Sequence, residues 1–158
     1  NELGSHRSLE SNTLDKYINL LEKTYVVFKL NSFSRNLRNE LKNSKKIYFY
    51  DNGIRNALVS NFNQIENRTD IGALWENFLI SERVKYLNYN NKWINSYFWR
   101  TKDQNEIDYI EETDGKISAY EFKWKPDAKI KFPKLFNSNY PNSNFEVIHR
   151  DNFESFLL

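Results

Sequence analysis

Ile117–Trp124 reads I-S-A-Y-E-F-K-W, and its alternation sets the frame for the rest of the chain. In a β-strand successive side chains point to opposite faces. One face then carries Ile117, Ala119, Glu121 and Lys123, and the other carries Ser118, Tyr120, Phe122 and Trp124. The aromatic set is a surface to bury. The other set begins apolar and ends in a carboxylate and an ammonium, which are either a structural ion pair or a working site.

Working outward, Thr113-Asp114-Gly115 reads as a hairpin turn, because the Asp-Gly pair accepts the positive φ that tight turns need. It joins Ile117–Trp124 to a strand at Glu106–Glu111, on which alternation places Glu106, Asp108 and Ile110 on one face. With the charged ends level, Asp108 lies near Glu121 and Lys123. Two carboxylates on adjacent strands suit a hard divalent cation. Such a cation binds a scissile phosphate and lowers the pKa of a water, while a lysine orients that water or stabilises the phosphorane. The plainer alternative is a metal-free corner in which Lys123 neutralises Glu121 and Asp108, since buried carboxylates are costly unless paired.

A strand over Ser96–Arg100 precedes the hairpin, and Ile71, Leu74, Phe78 and Val84 mark the apolar stripe of a helix over Ile71–Leu87. Glu76 lies off that stripe, with Leu79 and Ile80 as its helical neighbours, and is expected to be partly buried; Trp75 reads as core. Asp51 can cap a short helix at Asn52–Ser60, and Asn61–Asp70 is a polar loop, the best place for a boundary. After the central strand, Lys131–Asn139 reads as a helix, Phe145–His149 as a strand and Asn152–Leu157 as a final helical turn. Lys125, Lys129, Lys131 and Lys134 continue the positive charge beyond Lys123, as a phosphate-tracking edge or as an exposed helix start.

Toward the N-terminus, residues 1–12 are polar, and a helix is expected from Thr13, with Leu14, Tyr17, Ile18 and Leu21 on one face. Tyr25–Leu30 and Ile47–Tyr50 read as strands able to pair, separated by a basic loop with Arg35, Arg38, Lys42, Lys45 and Lys46. Helix, strand, basic loop and strand make the ending of a winged helix, with the loop as its wing. Arg35, Arg38 and Lys42, with Lys125, are the nucleic-acid-binding candidates. The division expected is 1–50, a partial winged helix, and 51–158.

Composition narrows the classes. The chain has 158 residues, 39% hydrophobic and 28% charged, with a net charge of +2, so any basic signal is local. With no cysteine and only His6 and His149, far apart, a thiolate or histidine metal cluster is excluded; a metal here would sit on carboxylates. No apolar run spans a bilayer and no signal-peptide pattern opens the chain, which sets a cytoplasmic expectation. The chain starts at Asn1 and has no methionine, so it is expected to be part of something longer.

Asp108 ahead of Glu121-Phe122-Lys123, with Glu76 on the preceding helix, resembles the PD-(D/E)XK nuclease superfamily, and Ile71–His149 in outline resembles its αβββαβ core. More closely, K-I-Y-F-Y-D-N-G-I-R-N (46–56), G-A-L-W-E-N (72–77), Y-F-W-R-T (97–101), Glu106-Ile107-Asp108 and Glu121-Phe122-Lys123 resemble a domain of unknown function. It is found at the C-terminus of uncharacterised bacterial and archaeal AAA+ ATPases. The resemblance implies an α/β fold with that nuclease-like core. It makes Asp108 and Glu121 metal ligands for Mg²⁺ or Mn²⁺, with Glu76 assisting, and Lys123 catalytic with them. Ile107 stands where the superfamily pattern has proline. DNA is the implied partner, and ATP would bind only in an upstream ATPase domain. A non-catalytic regulatory or docking module of that ATPase is the competing reading, and a DNA-binding domain that never cuts is a third.

Overall fold

Asp114 and Gly115 take φ of 51° and 76°, the positive pair that a two-residue hairpin needs, and Thr113 faces Lys116 across the turn. This hairpin joins β4 (Glu106–Thr113) to β5 (Lys116–Phe122), and β3 (Asn95–Arg100) lies antiparallel on the other side of β4. The computed structural model describes residues 2–35, 40, 44–128, 130 and 132–158, with side chains from Thr13 onward. Arg38, Lys42, Lys129 and Lys131 lie outside the described residues.

Around the hairpin the fold is α/β. A mixed six-stranded sheet runs in the order β2-β1-β3-β4-β5-β6, with β1 at Val27–Ser32, β2 at Lys45–Phe49 and β6 at Asn144–Ile148. β2 pairs antiparallel to β1, whereas β1 joins β3 and β6 joins β5 in parallel. The expected strands all form, with ends shifted by one or two residues; Tyr25 and Trp124 fall outside them. The helices are α1 (Glu2–Lys23), α2 (Asn52–Leu58), α3 (Ile71–Tyr89), α4 (Lys134–Asn139) and α5 (Phe153–Leu157). From α3 onward the order is helix, three strands, helix, strand. β1 and β2 continue the same sheet, so it crosses the division expected at residue 50. Among the described residues no helix is long and apolar enough to cross a membrane.

Two apolar layers sandwich the sheet. On one face Phe28, Phe98, Tyr109 and Phe122 pack with Trp75, Leu79 and Ile80 of α3 and Phe156 of α5. On the other, Trp99, Ile107, Ile110, Ile117 and Ala119 pack with Phe136 of α4. Tyr120 and Trp124 join the first layer, as alternation along β5 requires.

Two expectations are corrected. α1 starts at Glu2 rather than at Ser11–Thr13: a polar sequence without proline does not stop a helix, even where it offers no buried stripe. Its stripe is also not core, because Leu14, Tyr17 and Leu21 are exposed. On β4 strict alternation fails. Tyr97 faces Ile110 while Trp99 faces Ile107, so β4 spends one extra residue between them. Ile107 and Ile110 therefore share a layer, and the face expected to hold Glu106, Asp108 and Ile110 together is broken by a bulge at Asp108-Tyr109.

Candidate functional site

The bulge matters because it re-aims Asp108. One carboxyl oxygen accepts the Phe122 N–H across the β4–β5 ladder at 2.9 Å, and no cationic side chain hydrogen-bonds it among the described residues. Burial pushes Asp108 up to about 7, and the charges of Glu121 and Glu76 push in the same direction; the Phe122 N–H and Lys46 pull against them. Glu121 and Glu76 thus lie close enough to bear on the ionisation of Asp108.

Glu76 reaches this corner because α3 is latched at its start. Asp51 caps α2 through the Gly53 and Ile54 N–H groups. Asn52 donates to the Leu74 carbonyl, and Arg55 donates to Asp70 just before α3. Arg68 is buried and donates to both oxygens of Asp70, to Asn56 and to the Asn61 carbonyl. Hydrogen bonds from Arg68 and Arg55 hold the Asp70 carboxyl well below its ordinary range. Next to Glu76, Asn77 is buried and accepts from the Phe49 N–H at 2.8 Å while donating to its carbonyl at 2.9 Å. Its amide thereby does for the outer edge of β2 what a neighbouring strand would do.

With α3 fixed against β2, Glu76 accepts from the Tyr48 hydroxyl at 2.6 Å and from Lys46 at 3.0 Å. Lys46 also pairs with Glu106 at 2.5 Å, and Arg100 approaches Glu106 at 3.5 Å. Burial would lower Lys46, but Glu76 and Glu106 outweigh it and hold the ammonium above its usual value. Burial first, then Glu76, raises the Tyr48 phenol, so it remains a donor. On β5 and just beyond it, Lys123 donates to Glu121 at 2.8 Å. Burial opposes its charge, yet Glu121, Asp108 and Glu76 together raise it.

The structure thus brings Glu76, Asp108, Glu121 and Lys123 to one corner. Among the described residues no three carboxyl or imidazole groups stand as a ready metal cage; Lys46 and Lys123 engage the acids instead. The nucleic-acid candidates are scattered. Arg35 pairs with Glu112, near the hairpin end of β4 and roughly 20 Å along the strand from Glu106. Its own N–H donates to the buried Glu40, which also holds Trp99 and Tyr140. Lys125 is exposed, directly after Trp124.

Lys46, Tyr48 and Asn77 are the residues that sequence reasoning missed. Lys46 had been grouped with the basic loop, yet Lys46 and Tyr48 stand two apart on a strand and so share a face. That spacing was the available signal.

Known proteins place the chain without naming a function for it. The family described as Domain of unknown function (DUF4143) matches residues 71–154, which include Glu76, Asp108, Glu121 and Lys123. A second, Domain of unknown function (DUF8612), matches residues 1–66, which include Lys46 and Tyr48. The two meet in the polar loop before α3. Uncharacterised proteins of Mycobacterium bovis and Mycobacterium tuberculosis are each 27% identical over 124 residues, covering 77% of this chain and 27% of theirs. The chain thus spans about a quarter of the length of these curated relatives. No solved structure matches. Because the first match covers more than half of the residues, from the first turn of α3 into α5, the chain belongs to the DUF4143 family of domains of unknown function.

Proposed function

We propose that this chain is the nuclease-like C-terminal region of an AAA+ type ATPase, and that its acidic corner binds a divalent cation and acts on phosphodiester bonds of DNA. The observation that carries the reading is Asp108: a carboxyl set in a strand bulge, near enough to Glu121 and Glu76 to feel their charge, with no cationic hydrogen-bond partner among the described residues. A protein that needed these acids only for structure gains nothing from crowding them. The donor set fits Mg²⁺ or Mn²⁺ in kind, since all its ligands are carboxylate oxygens. Asp108, Glu121 and Glu76 would hold the ion, which when bound supplies Lewis-acid activation of water and charge neutralisation at phosphorus. Lys123, kept protonated by Glu121, orients the attacking water or faces the developing phosphoryl charge. Lys46 and Tyr48 position Glu76. Lys125 and Arg35, with Arg38 and Lys42 by sequence, are the contacts for backbone phosphates. The ATPase context rests on the family resemblance and on relatives far longer than this chain.

Calorimetry with Mn²⁺ on the chain and on Asp108→Asn, beside cleavage of labelled single-stranded and duplex DNA, tests the proposal. Saturable binding lost in Asp108→Asn, with cleavage lost in Lys123→Ala while DNA binding persists, is the expected result. No metal binding and no cleavage of either form would overturn it. A second reading has its own observation: Lys46 already ties Glu76 to Glu106. If that clamp is permanent, the domain is a non-catalytic module that regulates or docks to the ATPase. Its deletion then changes ATP turnover of the full-length protein without any nuclease activity being present.

A further inference from the structure

Trp75 and Trp124 are the chain neighbours of Glu76 and Lys123, and their rings pack in the α3 layer. There they meet edge to face at 5.2 Å between centroids. Trp75 also meets Phe153 edge to face at 5.4 Å. Together with Leu74 and Phe78 these rings wall an open pocket of about 420 Å³, within the range of small-ligand and side-chain pockets. Its wall is almost wholly apolar. The polar exceptions are Asn52, whose amide is already committed to Leu74 and Asn77, and Arg150. The Arg150 guanidinium stacks over Trp124 at 5.9 Å, and its one ion-pair partner among the described residues is the exposed Asp151, at 3.5 Å. The apolar surface does not stop at the mouth: Ile65 lines the pocket and is exposed, and Phe62, three residues earlier, is 72% exposed.

We propose that this pocket is a docking site for a partner protein segment that inserts one large aromatic or aliphatic side chain and sets a neighbouring carboxylate on Arg150. The chemistry selects this occupant. Two tryptophans and an arginine around an open apolar pocket are the residue types that dominate interface hot spots. A nucleobase would bring ring nitrogens and carbonyls to a wall whose polar groups besides Arg150 are the committed Asn52 amide and the indole N–H groups, of which that of Trp75 is buried, and burying them there is costly. An apolar side chain brings no polar group that needs a partner, and Arg150 at the rim complements an acidic flank. The proposal is independent of the nuclease reading, because it uses the face opposite Glu121 and Lys123.

The test uses the four tryptophan indole N–H resonances as reporters. Trp75 and Trp124 line the pocket, Trp99 is buried in the other layer and Trp93 is exposed. The probes are the capped peptides Ac-Asp-Phe-Asp-NH2 and Ac-Lys-Phe-Lys-NH2. The acidic peptide is expected to move the Trp75 and Trp124 signals saturably and to bind about fivefold tighter than the basic one. Arg150→Glu, a change at an exposed position, should reverse that preference while the Trp99 signal reports an intact fold. Absence of saturable movement overturns the proposal, as does a preference that Arg150→Glu leaves unchanged. Stronger displacement of the same signals by deoxyadenosine monophosphate would assign the pocket to a nucleobase instead. Movement of these signals when the chain alone is diluted would assign it to a second copy.

Discussion

Glu111 and Asp108 stand three residues apart on β4, both removed from bulk water, and the protein treats them in opposite ways. Glu111 receives Arg83 through two hydrogen bonds of 2.7 and 2.9 Å, and Arg83 spends a third donor on the Phe156 carbonyl. That guanidinium also lies over the Phe156 ring at 5.1 Å. The arrangement staples α3, β4 and α5 together. Asp108 receives one backbone N–H and two neighbouring carboxylates. The same chain that can supply a forked cation to one acid withholds it from the other. The contrast is what sets the acidic corner apart from the Arg83–Glu111 ion pair, and it is the feature on which the proposed cation site rests.

The comparison breaks most visibly at the staple. Arg83→Ala leaves Glu111 buried without a counter-charge, and removing one partner of such a pair costs about 3 to 5 kcal/mol. Denaturant unfolding should show that loss as a lower midpoint. A loss below about 1 kcal/mol would mean that water enters to serve Glu111, and the two acids would then differ less than their geometry indicates.

Asp108→Asn should act in the other direction, and only at high pH. An unfolded aspartate titrates near 4, whereas Asp108 in the fold is pushed up to about 7. The folded state therefore holds the proton more tightly than the unfolded one. The stability from this group is complete below about pH 4 and is lost as pH rises through 7. The loss amounts to a few kcal/mol. Asparagine keeps an oxygen for the Phe122 N–H and carries no charge, so the variant should lack this decline. Unfolding at pH 4 and pH 8.5 measures it: near-equal stabilities at pH 4, and a more stable variant at pH 8.5. Millimolar Mn²⁺ should restore the wild-type protein at pH 8.5 and leave the variant unchanged. If the wild type shows no decline, Lys46 and Lys123 already neutralise the corner and Asp108 joins Glu111 as a structural acid.

These contrasts were only partly legible in the sequence. Period and turn chemistry are local, so the hairpin at Asp114-Gly115, the aromatic face of β5 and the caps near Asp51 could be read directly. Glu121 and Lys123 could be singled out from the alternation of I-S-A-Y-E-F-K-W, and Asp108 and Glu76 joined them through the hairpin, the helix pattern and the family resemblance. The bulge at Asp108-Tyr109 could not, because it depends on how β3 registers against β4, and nothing in E-I-D-Y-I announces an extra residue. Long-range pairings were equally hidden. Lys46 reads as one basic residue among several until β2 is placed beside α3. Nothing in the helix pattern around Arg83 points to Glu111, which only the sheet brings beneath it.

The finest distinction concerns Glu76, which sits between the two extremes: its carboxyl oxygen takes the Tyr48 hydroxyl and Lys46 together. Tyr48→Phe removes one of these donors and keeps the ring, which stacks on Phe28 at 5.8 Å. A net loss of about 1 kcal/mol is expected, since Lys46 remains as a partner and the carboxylate is not left bare. The informative readout is the change in that loss when Lys46→Met is made in the same chain. If the two donors act as a unit, the paired change costs less than the sum of the single ones, and Glu76 is clamped in the manner of Glu111. If the costs simply add, each donor holds Glu76 separately. One can then let go while the other remains, and the carboxylate is free to turn toward Asp108, as an acid shared between a fold and a bound cation must do.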